Sequence, residues 1–364
     1  MIDISYLAFL NHSGYGQAAK DMILAMHKSG LYNVRVDALC PAPKPSSSDE
    51  EYSIFKNLTS KPKNNNAIQI FHCIPDMQRR RQRMRKNIGL ATFETYDPPE
   101  NWIKILNTDD AVIAPSKFNY SVFAHSGVKC PLFHIPHCID INKFNTMVEP
   151  MKKYDKFTFL FFGAWKIRKG YEQLIEAWFR EFTNKDNVQL IIKTDKVQKA
   201  QVQVGSIKNN LGFSQKDNAP ILFENTIFDE NMLPRFFKSV NCLISPTLGE
   251  GMGLPGLQCM ALGVPIIITN FSGCQDYAND KTATLLEPQG FIMHQQMDEY
   301  PQFRQKKWSF ITVSEIRTKM RQVLQNFDIA KEKAKYGAEF VKDNFNYSRC
   351  VEKINEMVET VEHV

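Results

Sequence analysis

The sequence of 364 residues is longer than one hydrophobic core usually supports, so it predicts two domains. Hydrophobic residues make up 43% and charged residues 23% of the chain, which is typical of a soluble globular protein. No apolar run reaches the roughly 18 residues that span a bilayer, and the N-terminus lacks the pattern of a signal peptide. We therefore expect a cytoplasmic protein, whose formal charge of +6 permits an acidic partner without requiring one.

The cysteines are scattered and form no C-x-x-C pair. In a cytoplasmic protein this pattern favours reduced thiols in the core over disulfides, and it lacks the ligand spacing of a zinc site. We therefore predict no metal site. The eight positions are Cys40, Cys73, Cys130, Cys138, Cys242, Cys259, Cys274 and Cys350.

Short runs of apolar, β-branched or aromatic residues recur along the chain, with helical stretches between them. Most runs are nearly continuous, as in parallel strands that are covered on both faces. The repeated alternation of strand and helix predicts an α/β architecture that occurs twice. The predicted strands are Ile4–Leu10, Val34–Leu39, Ala67–His72, Gly89–Glu94, Ala111–Pro115, Leu132–Ile135, Phe157–Gly163, Val188–Thr194, Ile221–Glu224, Cys242–Ser245 and Pro265–Thr269.

The polar stretch Asn142–Lys156 predicts the junction between two domains. We expect an N-terminal Rossmann-like domain over residues 1–150, a C-terminal one over 151–345 and a final helix over 346–364. One face of that helix is apolar, which predicts that it packs against a core. The residues on this face are Val351, Ile354, Met357 and Val361.

A first glycine-rich turn, Ser13–Ala19, follows the first strand and opens a helix. Gly14 and Gly16 fit the spacing G-x-G-x-x-A, and Asp37 follows about twenty residues later, as in dinucleotide-binding turns. Three interpretations stay open: an NAD site, a packing turn without a ligand, or a turn in which Tyr15 and its neighbours face a phosphate in another nucleotide enzyme.

A second glycine-rich turn, Ser245–Pro265, joins a strand to a helix and then to the next strand. Four glycines surround Glu250, and such a turn forms a backbone nest that can hold a diphosphate. Gln258 lies eight positions after Glu250, about two helical turns on, and therefore faces the same pocket.

This stretch resembles the retaining GT-B glycosyltransferases of family 4, also called glycosyl transferases group 1. Their hallmark is a Glu, seven residues and a second Glu, within a pattern close to GEGFGLPxLEAMAxGxP. The resemblance implies that Glu250 lies near the donor sugar. Gln258 replaces the second Glu, which holds the ribose hydroxyls, and its amide can still donate and accept. The resemblance also implies that backbone N–H groups reach the donor from Gly251, Met252, Gly253 and Leu254.

The segment Phe162–Gly170 is similar to the glycine-then-RKG stretch of the same family. The resemblance implies that Arg168 and Lys169 neutralise the donor diphosphate and act in catalysis, a role that their chemistry suits. Ala164 stands where some members carry an arginine. Further segments resemble family elements in the same order, so the resemblance covers nearly the whole chain: Gly89–Glu94 with Pro98–Trp102, Ala114–Phe118, Ile135–Asp140 and Asn344–Ser348.

The resemblance implies a GT-B fold, with two Rossmann-like domains facing across a cleft and a C-terminal helix that crosses back to the first domain. It further implies a metal-independent transfer of a hexose from a nucleoside-diphosphate sugar, with a UDP-sugar preferred, to an acceptor hydroxyl with retention of configuration. The donor is a co-substrate, and no other cofactor is implied. We expect a monomer or a homodimer.

Three further sites have weaker signals. His72 ends a first-domain strand and is predicted to be a catalytic sugar or acceptor contact, or else a structural histidine. Glu94, also at a predicted strand end, is a candidate on the acceptor side. Thr226 and Ile227 follow a strand where the family's nucleotide base docks, so the resemblance implies that they bind the donor.

The run Arg79–Lys86 is the most unusual charge feature. Arg79, Arg80 and Arg81 predict either a solvated helix face or a dock for an anionic acceptor, namely a lipid surface, an acidic glycan or a nucleic acid. A lipid surface would place the protein peripherally at the inner membrane face. The alternatives to a hexosyltransferase are an enzyme that glycosylates modified DNA bases, a non-catalytic nucleotide-sugar binder and, least favoured, an NAD-dependent oxidoreductase.

Overall fold

The computed structural model describes residues 1–42, 50–79, 85–213, 218–229, 231–293, 303 and 305–363. The chain divides into two compact units. The first contains Met1–Phe93, Asp97–Asp140 and Asp343–Val364, and the second contains Glu94–Tyr96 and Ile141–Lys342.

Strands and helices alternate through most of the described residues. The strands are β1 (Ile2–Phe9), β2 (Tyr32–Cys40), β3 (Ile68–His72), β4 (Lys86–Leu90), β5 (Ala111–Ala114), β6 (Leu132–His134), β7 (Phe157–Phe162), β8 (Val188–Lys193), β9 (Ile221–Glu224), β10 (Cys242–Ser245), β11 (Ile266–Thr269), β12 (Thr284–Leu286), β13 (Phe291–Met293) and β14 (Lys307–Ser309). The helices are α1 (Gly14–Ser29), α2 (Glu50–Ser60), α3 (Glu100–Leu106), α4 (Lys117–His125), α5 (Tyr171–Glu181), α6 (Val197–Asn210), α7 (Met232–Lys238), α8 (Leu254–Ala261), α9 (Val313–Gln325), α10 (Phe327–Asn344) and α11 (Tyr347–His363).

The fold class predicted from the sequence is confirmed, because each unit is built on a parallel six-stranded sheet with helices around it. All eleven predicted strands are present in the predicted order. The predicted strand Gly89–Glu94 was wrong in its limits. Strand β4 ends at Leu90, where its pairing with the last residue of β3 also ends, so Glu94 lies beyond the strand. The strands β12 to β14 were not predicted, because three residues are too few to show a periodic pattern.

In each sheet, the order in which successive strands are added changes sides at one point. In the first unit the order is β2-β1-β3-β4-β5-β6, so the chain builds to one side of β1 and then crosses to the other. In the second unit the order is β12-β11-β10-β7-β8-β9, and the reversal falls between β7 and β10. Open parallel sheets bind ligands outside the carboxyl ends of their strands at such switch points. The candidate sites therefore lie at the carboxyl ends of β1 and β3 in the first unit and of β7 and β10 in the second. We call these two places the β1–β3 edge and the β7–β10 edge.

The final helix, α11, packs in the first unit. All four residues of its predicted apolar face are buried in the same core as the side chains of β1 and α1, which confirms the predicted amphipathic helix. Tyr347, at its start, donates a hydrogen bond of 2.8 Å from its hydroxyl to the carboxylate of Asp21 in α1.

Aromatic side chains dominate the core of the second unit. Trp178 of α5 packs against Phe159 of β7 and donates its indole N–H to the carbonyl of Ala219, so its one polar group is satisfied. Within the described part of the chain, no helix has both the length and the apolar character needed to cross a membrane.

Candidate active site

The loop that leads from β7 into α5 is held against the loop that follows β10. Gly170 has a φ of +70°, and a Cβ at this position would lie 1.9 Å from the carbonyl oxygen of Pro246. The carbonyl of Arg168 accepts a hydrogen bond of 2.7 Å from the amide of Leu248 and one of 3.1 Å from the hydroxyl of Thr247. Only glycine allows this approach, which brings the two predicted motifs together at the switch point of the second sheet.

Packing also explains glycines of the loop between β10 and α8. A Cβ on Gly249 would lie 2.2 Å from the carbonyl oxygen of Glu94, and one on Gly256 would lie 2.5 Å from the hydroxyl of Tyr277. Gly253 has a φ of +78°, which disfavours other residues. These glycines are needed by the unit itself, so the glycine count alone does not identify a ligand site.

Four charged side chains meet between these loops, and we call them the switch-point cluster: Glu94, Arg168, Lys169 and Glu250. The ammonium of Lys169 lies 2.5 Å from one carboxylate oxygen of Glu250, and the guanidinium of Arg168 lies 3.2 Å from the other. Arg168 also reaches Glu94 at 3.6 Å. The cluster thus joins two acidic and two basic side chains.

Glu250 is ionised within this cluster although only 7% of the residue is exposed. Burial by itself would raise the pKa of its carboxyl, but the charges of Lys169 and Arg168, and the hydrogen bond from Lys169, outweigh burial and bring the pKa to about 2. The carboxylate is therefore fixed as an anion at neutral pH.

The backbone of Glu250 is held by a turn that sequence reasoning missed. Its amide donates a hydrogen bond of 2.9 Å to the hydroxyl of Ser272, and its carbonyl accepts one of 3.0 Å from the amide of Gly273. Ser272 has a φ of +59°, which is unusual for a residue with a side chain. The Ser-Gly pair after β11 was the available signal, since such pairs mark turns.

The other predicted donor-binding residues of this unit differ in exposure. Gln258 lies in α8 and is 4% exposed. Thr226 and Ile227 follow β9, two strands away from β7, and Ile227 is 81% exposed. The residues predicted to offer backbone amides near Glu250 are mostly buried, namely Gly251, Met252, Gly253 and Leu254.

In the first unit, the turn Gly14–Gly16 lies at the β1–β3 switch point. The hydroxyl of Ser13 caps α1 by accepting 3.1 Å from the amide of Gly16, and a Cβ on Gly16 would lie 2.1 Å from the carbonyl oxygen of Asn11. The carboxylate of Asp37 pairs with Arg35 at 2.5 Å and accepts 3.1 Å from Ser5. The close contact with Asn11 favours a packing role for Gly16. The carboxylate of Asp37, which an NAD site would use to bind the ribose, is already engaged by Arg35 and Ser5.

Two buried histidines lie at the same switch point. His72 shares a hydrogen bond of 2.8 Å between its Nδ1 and the hydroxyl of Tyr6, and it stacks on His137 with ring centroids 5.3 Å apart. Tyr15 packs on His72 at 5.8 Å. His72 Nε2 and His137 Nδ1 have no hydrogen-bond partner among the described residues. His137 was missed as a site residue, although it stands in the segment Ile135–Asp140 that resembles a family signature.

Both imidazoles are neutral at pH 7. Burial, with a smaller effect of His137, lowers the pKa of His72 well below its ordinary value, and burial lowers the pKa of His137 to about 4. The site offers uncharged hydrogen-bonding groups.

The basic run is described only in part. Arg80 and Arg81 lie outside the described residues, and so does the side chain of Arg79. Arg85 pairs with Glu362 of α11 at 2.8 Å. Among the residues that the structure covers, no group of three histidine, cysteine or acidic side chains is placed to hold a metal ion.

The two units, each with a parallel sheet of Rossmann type, define the GT-B fold of glycosyltransferases. Residues 156–296, which include the cluster residues Arg168, Lys169 and Glu250, match the family described as Glycosyl transferases group 1. No curated protein matches the sequence.

Solved glycosyltransferases share this fold over the full length at low sequence identity. Sucrose-phosphate synthase from Thermosynechococcus elongatus has a TM-score of 0.70 at 14% identity, with 100% of each chain covered. HepE from Anabaena, solved with UDP and glucose, has a TM-score of 0.69 at 11% identity, with 99% of this chain and 100% of that chain covered. A glycosyltransferase from Rickettsia africae has a TM-score of 0.67 at 14% identity, with 99% and 98% covered.

Proposed function

We propose that the protein is a hexosyltransferase that moves a sugar from a nucleoside-diphosphate donor to an acceptor hydroxyl with retention of configuration. The observation that carries this proposal is the switch-point cluster, in which Arg168 and Lys169 stand beside a buried carboxylate at the ligand-binding edge of a parallel sheet. The family match of residues 156–296 supports glycosyl transfer. The complex of HepE with UDP and glucose supports a UDP-sugar as donor.

The cations of the cluster are the groups that would bind the donor diphosphate. A lysine ammonium has three N–H donors, and within the described part of the chain Lys169 uses one of them on Glu250, which leaves two for phosphate oxygens. Charge develops on the diphosphate as the sugar leaves, so fixed cations stabilise the transition state more than the ground state. On this basis the protein needs no metal ion for the transfer.

Glu250 would act on the sugar side of the same site. Its carboxylate is anionic, buried and held on both sides, so it can orient sugar hydroxyls and stabilise positive charge at the anomeric carbon. The acceptor oxygen attacks from the face that the diphosphate leaves, the bond to the diphosphate breaks, and the leaving phosphate oxygen takes the acceptor proton. Gln258 would hold the ribose hydroxyls through its amide.

The proposal is tested by the stereochemistry of the product. The protein is incubated with UDP-glucose and a panel of acceptors, release of UDP is measured, and the anomeric configuration of the product is read by NMR. We expect retention, with activity unchanged when EDTA is added. Lys169→Ala lowers the turnover, whereas the exposed control Lys185→Ala does not. Inversion of configuration, or equal turnover of both variants, contradicts the proposal.

A second candidate is a nucleotide-sugar binder without turnover. The buried amide of Gln258, where the family usually carries a carboxylate, is the observation that favours it. Such a protein binds UDP and releases none from UDP-sugars with any acceptor, so the same assay separates the two functions.

The acceptor is proposed to be anionic, on the strength of the run Arg79–Lys86. A lipid surface at the cytoplasmic membrane face, an acidic glycan and DNA with modified bases share this charge. Binding of vesicles that contain anionic lipid, or of duplex DNA, is expected to weaken steeply with salt.

A further inference from the structure

The carboxyl edge of the second sheet is filled on one side of the switch-point cluster. After β11, the turn Ser272–Asp276 packs tightly, because a Cβ on Gly273 would lie 1.8 Å from the carbonyl oxygen of Gly251. On the other side, toward β8 and β9, the residues Thr226 and Ile227 that follow β9 are exposed. Under the proposed function, a nucleoside whose diphosphate lies at the cluster therefore extends toward β8 and β9.

Lys193 is the last residue of β8 and lies on this path. The strand register places it between Phe162 of β7 and Glu224 of β9. Its ammonium lies 5.9 Å from the ring centre of Phe228, and it makes no hydrogen bond or ion pair within 4.0 Å with any residue that the structure describes. Burial lowers the pKa of this half-buried ammonium, and the nearby carboxylates of Glu224 and Asp195 only partly oppose the shift. The ammonium lacks a hydrogen-bond acceptor among the described residues, and a half-buried ammonium favours one, which a ligand can supply.

The neighbouring carboxylates have other partners. The carboxylate of Asp195 accepts a hydrogen bond of 2.9 Å from the amide of Trp165, and one carboxylate oxygen of Glu224 accepts one of 2.8 Å from the amide of Thr226. Burial opposes ionisation of Glu224, but the hydrogen bonds from Thr226 and the charges of Lys152 and Lys193 outweigh burial and lower the pKa of its carboxyl. Adjacent strands thus present an ammonium donor and a carboxylate acceptor side by side at the sheet edge.

This pair of a donor and an acceptor is complementary to a nucleobase that has an acceptor atom next to a donor group. Uracil and guanine present a carbonyl oxygen next to a ring N–H, whereas cytosine and adenine present an amino group next to a bare ring nitrogen. The ring of Phe228 and the exposed side chain of Ile227 supply apolar surface for the face of a base. We infer that Lys193 and Glu224 read the donor base, with Lys193 donating to the ring carbonyl and Glu224 accepting from the adjacent ring N–H.

The inference rests on the proposed function and is tested by calorimetric titration with UDP, CDP, GDP, ADP and inorganic pyrophosphate. Wild type is expected to bind UDP more tightly than CDP and GDP more tightly than ADP. Lys193→Met removes a charged hydrogen bond, so the affinity for the preferred base of each pair falls about tenfold or more. Affinity for pyrophosphate stays unchanged, which also shows that the variant is folded. The exposed lysine of α6 provides the matched control, Lys199→Met, which behaves as wild type.

The outcomes separate the two ideas. If Lys193→Met weakens pyrophosphate and all nucleotides equally, Lys193 is a phosphate ligand and the inference is wrong. The inference also fails if the variant keeps the wild-type preference within each pair. If wild type binds neither pyrophosphate nor any nucleotide, the proposed function itself fails.

Discussion

The two switch points share a topology and differ in charge. At the β1–β3 edge of the first unit, His72 and His137 are neutral, buried and stacked on each other, and two tyrosines pack on His72. At the β7–β10 edge of the second unit, Glu94, Arg168 and Lys169 are grouped with the buried carboxylate of Glu250. A parallel sheet therefore fixes where a ligand can bind, and the side chains that end its strands fix which chemistry it binds. The charged edge suits a diphosphate, and the uncharged edge suits hydroxyl groups.

The largest effect is expected from Glu250→Ala in the charged edge. The change removes the carboxylate that would stabilise charge at the anomeric carbon and leaves Lys169 without its ion pair, so we expect turnover of a UDP-sugar to fall by about 10²- to 10³-fold. Steady-state kinetics measure the loss. The control Glu176→Ala removes a half-buried carboxylate that pairs with the exposed Arg180, and it leaves turnover unchanged. Full turnover in Glu250→Ala would show that the cluster is structural.

The two edges are expected to lose stability in different pH windows. Glu250 has a pKa of about 2 in the folded protein against an ordinary 4.5, so its contribution of about 3 kcal/mol is present above pH 4.5 and lost as pH falls toward 2. His137 has a pKa of about 4 against 6.5. The unfolded chain takes up that proton first, so stability already falls by about 3 kcal/mol between pH 6.5 and 4.

Denaturant unfolding as a function of pH measures both windows. His137→Gln is expected to lessen the fall between pH 6.5 and 4, of which His72 keeps a share because its pKa is also lowered, and to leave the lower window in place. Glu250→Gln is expected to do the reverse. If either variant flattens both windows, the histidine and carboxylate sites are coupled and the comparison between the edges is broken.

The sequence predicted the strands that form both edges better than the side-chain contacts made at those edges. Continuous apolar runs identified the strands that end at His72 and Phe162, because buried parallel strands need them. The pairing of Arg168 with Glu94 was beyond prediction, since these residues are distant in sequence and meet only through the packing of Gly249 on Glu94. The stacking of His72 on His137 likewise depends on how strands β3 and β6 are spaced in the sheet.

Glycines show a second limit of sequence reasoning. Gly16, Gly170 and Gly249 each lie where a Cβ would collide with a carbonyl oxygen of their own unit. The glycines of both motifs therefore coincide with close backbone approaches inside each unit. Whether such an approach also serves a phosphate depends on nearby cations, which the second unit has in Lys169 and Arg168.

The central claim is that the charged edge binds the donor diphosphate, and its most direct test is calorimetric titration of UDP into wild type and Lys169→Ala. Loss of a charged hydrogen bond predicts affinity about tenfold or more weaker in the variant, with the thermal unfolding midpoint measured alongside to confirm folding. Equal affinity of the two proteins for UDP would contradict the account, because the cation placed beside Glu250 would then take no part in binding the donor.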